Sequence, residues 1–365
     1  VIVVVSLDLK RAFETIDRKI LLQKLRRYGF KESVLELLKN YLENRFQVTK
    51  INNILSDKLL VENGVPQGSK LSNILFSLFI NDIALNVDER MKVTLFADDT
   101  LLYCAHKSKE SAIKIMNKNL ENISDWLKFN RLALNVKKCN AMIINDRCET
   151  NYELKIDDKI IEANDSFKYL GVILDKKLKF HEHFEFLSKK IAKKIGLFRR
   201  LRDRLNVENS VMMFKSLILP HINYCGTILD HFNMSQKKEL QLMINKILRI
   251  ALKRKIIVGI DQTSKMMEEV NIISVEKQIK FNVLKYMNKI ELGYPKRICE
   301  ELRLKKEKTR ANLRYDDHSY IVKNYKKTIT RKSLLYAGMN LLNKFKIFKM
   351  NNVNANIKDF VIKNE

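Results

Sequence analysis

Paired cysteines are missing from this 365-residue chain: its five, Cys104, Cys139, Cys148, Cys225 and Cys299, include no C-x-x-C and have no histidine at zinc-finger spacing. That excludes a zinc-finger framework and makes reduced thiols of an intracellular protein the expectation. His181 and His183 form an H-x-H, but with no cysteine nearby they read as surface or capping residues and not as metal ligands. Long apolar runs are also absent. Residues 1–5 are continuously apolar, yet no basic segment precedes them and Asp8 ends the run far short of a membrane span, so the segment reads as a buried strand and no membrane partner is expected. No repeat of fixed period is visible. Acidic residues are scarce: 42 Asp+Glu face 69 Lys+Arg, a formal charge of +27. A chain that repels itself so strongly calls for a polyanion, and nucleic acid is the leading candidate. The basic residues fall within periodic helical patterns and not in tails, which speaks against a ribosome-like or membrane-surface protein.

What is present organises into elements. The 46% hydrophobic content can fill more than one core. After the first strand, Asp17 is placed to cap a helix through Ile20, Leu21, Leu25 and Tyr28, with Gly29 where a C-terminal cap is wanted. A second helix starts at Ser33. Residues 46–61 read as a two-stranded excursion around Asn52-Asn53, and Gly64 to Ser69 is a turn cluster leading into an amphipathic helix. A hairpin follows, 93–97 and 101–105, interrupted by Asp98-Asp99. A helix over 111–129, strands at 132–134 and 141–144, and three short strands over 152–174 with a turn at Asp157-Asp158 complete an α+β layer in which helices cover one face of an antiparallel sheet. Beyond residue 180 the pattern is helical, near 181–205, 207–219, 235–254 and 274–291. The stretch after about residue 300 is weakly periodic and rich in Lys and Asn.

Asp8, Asp98 and Asp99 each interrupt a strand that otherwise reads as buried. Carboxylates at the edge of an apolar sheet are costly unless a cation meets them, whereas any one Asp taken alone is better explained as a turn or cap. If the first strand lies beside the hairpin, Asp8 and Asp98 can share two divalent ions about 4 Å apart, the arrangement of in-line phosphoryl displacement. Hard oxygen donors and phosphate substrates favour magnesium over zinc.

These residues resemble a known family. Ser6-Leu7-Asp8-Leu9-Lys10-Arg11-Ala12-Phe13-Glu14-Thr15-Ile16-Asp17 is similar to motif A of LINE-type reverse transcriptases, Gly64-Val65-Pro66-Gln67-Gly68-Ser69 to motif B, and Phe96-Ala97-Asp98-Asp99-Thr100 to motif C. Leu132-Ala133-Leu134-Asn135-Val136-Lys137-Lys138-Cys139 resembles motif D, and Phe167-Lys168-Tyr169-Leu170-Gly171-Val172 the motif E primer grip. Five motifs in family order over residues 6–172 point to a non-LTR retrotransposon reverse transcriptase of the jockey/R1-like kind. Leu335-Tyr336-Ala337-Gly338 with Asn343 resembles the region after the thumb in such elements. The resemblance implies a palm over 1–180, a helical thumb over 181–260 and a basic helical C-terminal region over 261–365.

Carried onto this sequence, the resemblance implies that Asp8 and Asp98 hold two Mg2+ ions, with Mn2+ able to substitute, that Leu9 adds its backbone carbonyl and that Asp99 supports the site. It makes Phe13 the steric gate against a 2′-hydroxyl, where an ordinary core phenylalanine is the alternative. Gln67 and Gly68 would touch the incoming nucleotide and template. Lys138, or Lys137, would protonate pyrophosphate, against the alternative of a solvated lysine. Tyr169, Leu170 and Gly171 would form the primer grip. Cys139, where the family usually has a small hydroxyl residue, and Lys70-Leu71-Ser72-Asn73, which lacks the usual Gly-Pro, depart from the pattern but are expected to stand clear of the metal site. The helix around 186–204 carries eight basic residues, including Lys189, Lys190, Lys193, Lys194, Arg199 and Arg200, opposite an apolar stripe of Leu187, Ile191, Ile195, Phe198 and Leu201. Such a run is usually a solvated face. After a primer grip it reads as a thumb helix on a template-primer duplex.

The expected partners are an RNA template, a DNA primer and deoxynucleoside triphosphates, and the expected location is intracellular, with cytoplasmic assembly on RNA and reverse transcription in the nucleus. Position 1 is Val and not Met, and the chain is expected to begin inside a larger reading frame, with fingers and an endonuclease upstream. A catalytically inactive, basic RNA-binding remnant of such an element is the alternative. Another palm-type enzyme, an RNA polymerase or nucleotide cyclase, is disfavoured by Phe13 and by the Val-Pro-Gln-Gly-Ser turn.

Overall fold

The computed structural model describes residues 1–146, 152–254, 263–291, 337–339 and 341. Two compact units divide the chain, Val1–Lys177 and Leu178–Glu365. Among the described residues no helix is long and apolar enough to cross a membrane.

The first unit begins with β1 (Ile2–Asp8), followed by α1 (Ala12–Thr15), α2 (Arg18–Arg27) and α3 (Glu32–Leu42). Asp17 caps α2 as its sequence position suggests, accepting from the Lys19 and Ile20 amides at 2.8 and 3.0 Å. Next come four two-residue strands, β2 (Phe46–Gln47), β3 (Lys50–Ile51), β4 (Ile54–Leu55) and β5 (Leu59–Leu60). They form two nested ribbons, β3 with β4 inside and β2 with β5 outside. Asn52 and Asn53 both have positive φ, the two-residue turn that Asn tolerates. Helix α4 (Lys70–Ile80) leads through a 3-10 turn to β6 (Met91–Phe96), β7 (Asp99–Ala105), α5 (Lys109–Phe129) and β8 (Asn140–Ile144).

These strands form one antiparallel sheet in the order β6-β7-β1-β8. Because side chains alternate along a strand, Val3, Val5 and Leu7 point to one face, where Phe76 and Phe79 of α4 and Met116, Leu120 and Ile123 of α5 join them in the main core. Val4 and Met142 point to the other. Helices cover one face, as the sequence pattern predicts, but the second face is not left bare. The hairpin of β11 (Ser166–Tyr169) and β12 (Val172–Asp175) lays Phe167 against Val4 and Met142, with Tyr169 and Leu174 beside them. A small ribbon, β9 (Lys155–Ile156) with β10 (Lys159–Ile160), turns at Asp157-Asp158, again with both φ positive. Residues 132–134, expected as a strand, make only a single bridge, Leu134 to Leu9.

The second unit is helical among its described residues: α6 (His181–Leu201), α7 (Val207–Leu217), α8 (Leu219–Asn223), α9 (Met234–Ala251), α10 (Thr263–Val270) and α11 (Val275–Glu291). Leu187, Ile191, Ile195 and Phe198 of α6 are buried, and α6 packs on α9. A reciprocal capping box between Asn233 and Gln236 starts α9. His181 is on the surface, as expected, but His183 is buried in the core. Leu335, Tyr336 and Asn343 lie outside the described residues.

Candidate active site

The pairing of β1 with β7 sets Asp8, the last residue of one strand, directly opposite Asp99, the first of the other. Across β6 and β7, Phe96 pairs with Asp99, so Ala97 and Asp98 are the two turn residues between them. Ala97 takes a positive φ of 50°, a conformation costing a non-glycine residue of order 1 kcal/mol. That tight turn places Asp98 next to the Asp8–Asp99 pair. Burial first, and then the negative charges of Asp98 and Asp8, hold the Asp99 carboxyl above the ordinary carboxylate range. Three carboxylates thus occupy one electrostatic neighbourhood.

The segment after β1 is held from the motif D side. Lys10 N donates to Ala133 O at 2.7 Å and Asn135 N donates to Asp8 O at 2.8 Å, so both hydrogen bonds of the Leu9–Leu134 bridge are made by neighbouring residues. The Leu9 carbonyl is therefore not consumed by that bridge. Cys139 corrects an expectation. Instead of standing clear of the site, its buried thiol lies 3.5 Å from the Asp8 amide and 3.5 Å from Asn135 O, and burial pushes the thiol pKa up. It ties the motif D turn to the first catalytic candidate. Lys138 sits just before it, exposed, on the 3-10 turn Val136–Lys138.

Tyr169, Leu170 and Gly171 fall at the tip of the β11–β12 hairpin, where Leu170 and Gly171 have φ of 44° and 82°. The Tyr169 hydroxyl is buried without a hydrogen-bond partner among the described residues. Burial first, then the Asp99 charge, raises its pKa.

Motif B is fastened to motif A more closely than the sequence suggests. Val65 N donates to Phe13 O and Gly64 N to Ile16 O, both at 2.8 Å. A Cβ on Gly64 would lie 2.6 Å from Glu14 O and 2.7 Å from Phe13 O, and its φ is 80°, so only glycine permits this approach. Arg18 was missed by sequence reading. Its guanidinium donates to the carbonyls of Gly64, Val61 and Asn63 at 2.9, 2.7 and 3.0 Å, clamping the irregular run that enters motif B. The exposed Gln67 donates to Glu14 Oε1 at 3.0 Å, and Gly68, φ 77°, stands in open space. Phe13 is half-buried and its ring stacks on Phe76, centroids 4.6 Å apart.

In the second unit the six basic candidates of α6 are not equivalent. Lys189 pairs with Glu185 at 3.9 Å, and the Lys190 ammonium stands 4.4 Å above the Phe186 ring. Lys193, Arg199 and Arg200 are exposed and Lys194 half-buried, opposite the buried stripe.

Among the described residues, no group of three His, Cys, Asp or Glu side chains is gathered tightly enough to hold an ion by itself. Hard oxygen donors nonetheless suit a divalent ion whose remaining positions are filled by substrate phosphates, the usual condition of magnesium. The mutual repulsion at Asp99 is what such a cation would relieve.

Comparison with known proteins agrees with this geometry. Residues 2–174 match the family model for reverse transcriptase (RNA-dependent DNA polymerase). The RNA-directed DNA polymerase from mobile element jockey of Drosophila melanogaster is 25% identical over 252 residues, 67% of this chain and 27% of the relative. The probable RNA-directed DNA polymerase from transposon X-element of the same species is 25% identical over 250 residues, with the same shares of each chain. That from transposon BS, also of Drosophila melanogaster, is 24% identical over 298 residues, 78% of this chain and 32% of the relative. This chain thus spans about a third or less of the length of these relatives. Over residues 2–174, just under half of the chain, this protein is thus similar to reverse transcriptases, and the relatives named above are RNA-directed DNA polymerases of mobile elements.

Proposed function

We propose that this chain carries the nucleotidyl-transfer site of an RNA-directed DNA polymerase, which extends a DNA primer paired with an RNA template. One observation carries the reading: the register that sets Asp8 against Asp99 with Asp98 in the adjoining turn. Asp8 and Asp98 would hold two magnesium ions, with the Leu9 carbonyl as a further donor and Asp99 supporting them from the ladder. Manganese would serve the same oxygen donors. When bound, such ions favour the ionised primer 3′-hydroxyl and neutralise charge on the triphosphate and the departing pyrophosphate.

The chain's own residues supply position. In the reaction the 3′-oxygen bonds to the α-phosphorus as the bond to pyrophosphate breaks. Gln67, oriented by Glu14, and the open backbone at Gly68 would receive the nucleotide and template. The Phe13 ring would lie under the sugar and exclude a 2′-hydroxyl. Lys138, exposed beside the motif D turn, would give a proton to pyrophosphate. The Tyr169–Gly171 turn would support the primer end, and Lys193, Lys194, Arg199 and Arg200 would meet the duplex through its phosphates.

The test is extension of a DNA primer on an RNA template by the purified chain with deoxynucleotides and magnesium. Magnesium-dependent extension supports the reading. Tight duplex binding with no extension would favour the RNA-binding remnant.

A further inference from the structure

Phe76 has no solvent exposure, and its ring meets that of Phe13 at 4.6 Å between centroids with 25° between planes, a stacked pair. We propose that Phe76 is a positioning residue for sugar selection: it fixes the height of the Phe13 ring and so sets how sharply that ring excludes a 2′-hydroxyl. The inference rests on the reading of Phe13 as the surface under the sugar.

The physical ground is that a steric filter works only if it cannot retreat. Repulsion between atoms rises steeply with overlap, so a ring free to sink by a few tenths of an ångström would admit the extra oxygen. The Phe13 backbone has nowhere to go. Its carbonyl accepts from Val65 N at 2.8 Å, and the Gly64 backbone is so near that a single added carbon would lie 2.7 Å from that oxygen. What remains is rotation or descent of the ring, and Phe76 blocks that route from within a close-packed core. A shorter or more flexible side chain at Phe76 leaves the Phe13 ring intact but lets it yield.

Phe79, one turn further along α4, provides the internal control. It is equally buried, but a different group meets its ring: the Lys24 ammonium, 4.6 Å from the centroid. Phe79→Leu and Phe76→Leu each remove a buried ring from the same helix, whereas only the second removes the support under Phe13.

The experiment measures kcat/KM for dTTP and for UTP on a primed polyriboadenylate template with the full 365-residue chain. Phe13→Ala is expected to reduce the preference for dTTP by roughly ten- to two-hundred-fold, and Phe76→Leu by about three- to tenfold, while Phe79→Leu leaves the ratio unchanged. Phe76→Met, close to Phe in size but flexible, carries the same expectation if the leucine variant does not fold. A second readout needs no turnover: a fluorine on the Phe13 ring should change its resonance frequency on Phe76→Leu and not on Phe79→Leu. An unchanged ratio in Phe76→Leu alongside a changed one in Phe13→Ala overturns the inference, as does an unmoved fluorine signal. Ratios unchanged in both overturn the assignment of Phe13 itself. A wild-type chain that incorporates neither nucleotide overturns the polymerase reading and this inference with it.

Discussion

The carboxylate site of the first unit and the basic helix of the second are built in opposite ways. Asp8, Phe13, Gln67, Asp98 and Cys139 come from segments as much as 131 residues apart, and each is held by a specific strand pairing, hydrogen bond or ring contact. The cations of α6 come from one helix, placed by its 3.6-residue period and an apolar stripe. The first arrangement fails when one atom is misplaced, while the second degrades in proportion to the charge removed. Metal-assisted phosphoryl transfer needs the former, and recognition of a phosphate backbone is served by the latter.

The sharpest break in that comparison is Asp98→Asn, which keeps the side chain's shape and removes its charge. Incorporation of every nucleotide should fall by at least about 10³-fold while duplex binding is retained, measured by single-turnover extension and by filter binding. Retained activity would reduce the acidic turn to a structural feature.

Arg18→Lys tests whether the site depends on parts that touch no substrate. A lysine cannot reach three carbonyls at once, so the motif B entry should loosen. A loss of about 1–3 kcal/mol in denaturant unfolding is expected, with a fall of about tenfold in kcat/KM.

For the helix, replacing Lys193, Lys194, Arg199 and Arg200 by Ala should flatten the salt dependence of duplex affinity by roughly 0.7–0.9 in slope for each phosphate no longer neutralised. Lys189→Ala and Lys190→Ala should change it less, since Glu185 and the Phe186 ring already engage those two. Equal effects at all six positions would mean that local partners do not matter.

The smallest effect concerns His183. Burial, and then Lys190, hold its imidazole pKa below the ordinary value of 6.5. Its neutral form belongs to the folded state, so the stability it lends is complete above pH 6.5 and is lost as pH falls below that value towards the depressed one. Thermal melting of the chain should show this loss on acidification, and His183→Phe should lessen it.

Features set by local chemistry were legible from sequence. Asp17 caps α2, and Asn52-Asn53 and Asp157-Asp158 turn where their tolerance of positive φ predicts. The α6 stripe follows the helical period. Contacts between distant segments were not legible: Arg18 meets carbonyls more than forty residues away, Phe76 underlies Phe13 across 63 positions, and the Cys139 thiol reaches the Asp8 amide. No period or turn rule encodes these, and Arg18 reads locally as one more basic residue near a helix start. Motif order predicted which segments matter, but not that motif B rests on motif A through backbone atoms. The short α10 was missed because two turns of helix give the periodicity too little length to show.

The register of β1 has a consequence for how the chain finds its fold. Leu7 and Leu9, flanking Asp8, are 2% and 6% exposed. Sliding β1 by one residue along β7 would turn every side chain to the other face and drive the Asp8 carboxylate into the apolar layer where Leu7 now sits, at a cost of several kcal/mol. Slipped pairings of the all-apolar run before it are otherwise nearly equivalent, since Val3, Val4 and Val5 differ little from one another. The acid therefore acts during folding as an index mark, rejecting misaligned ladders before any substrate is met.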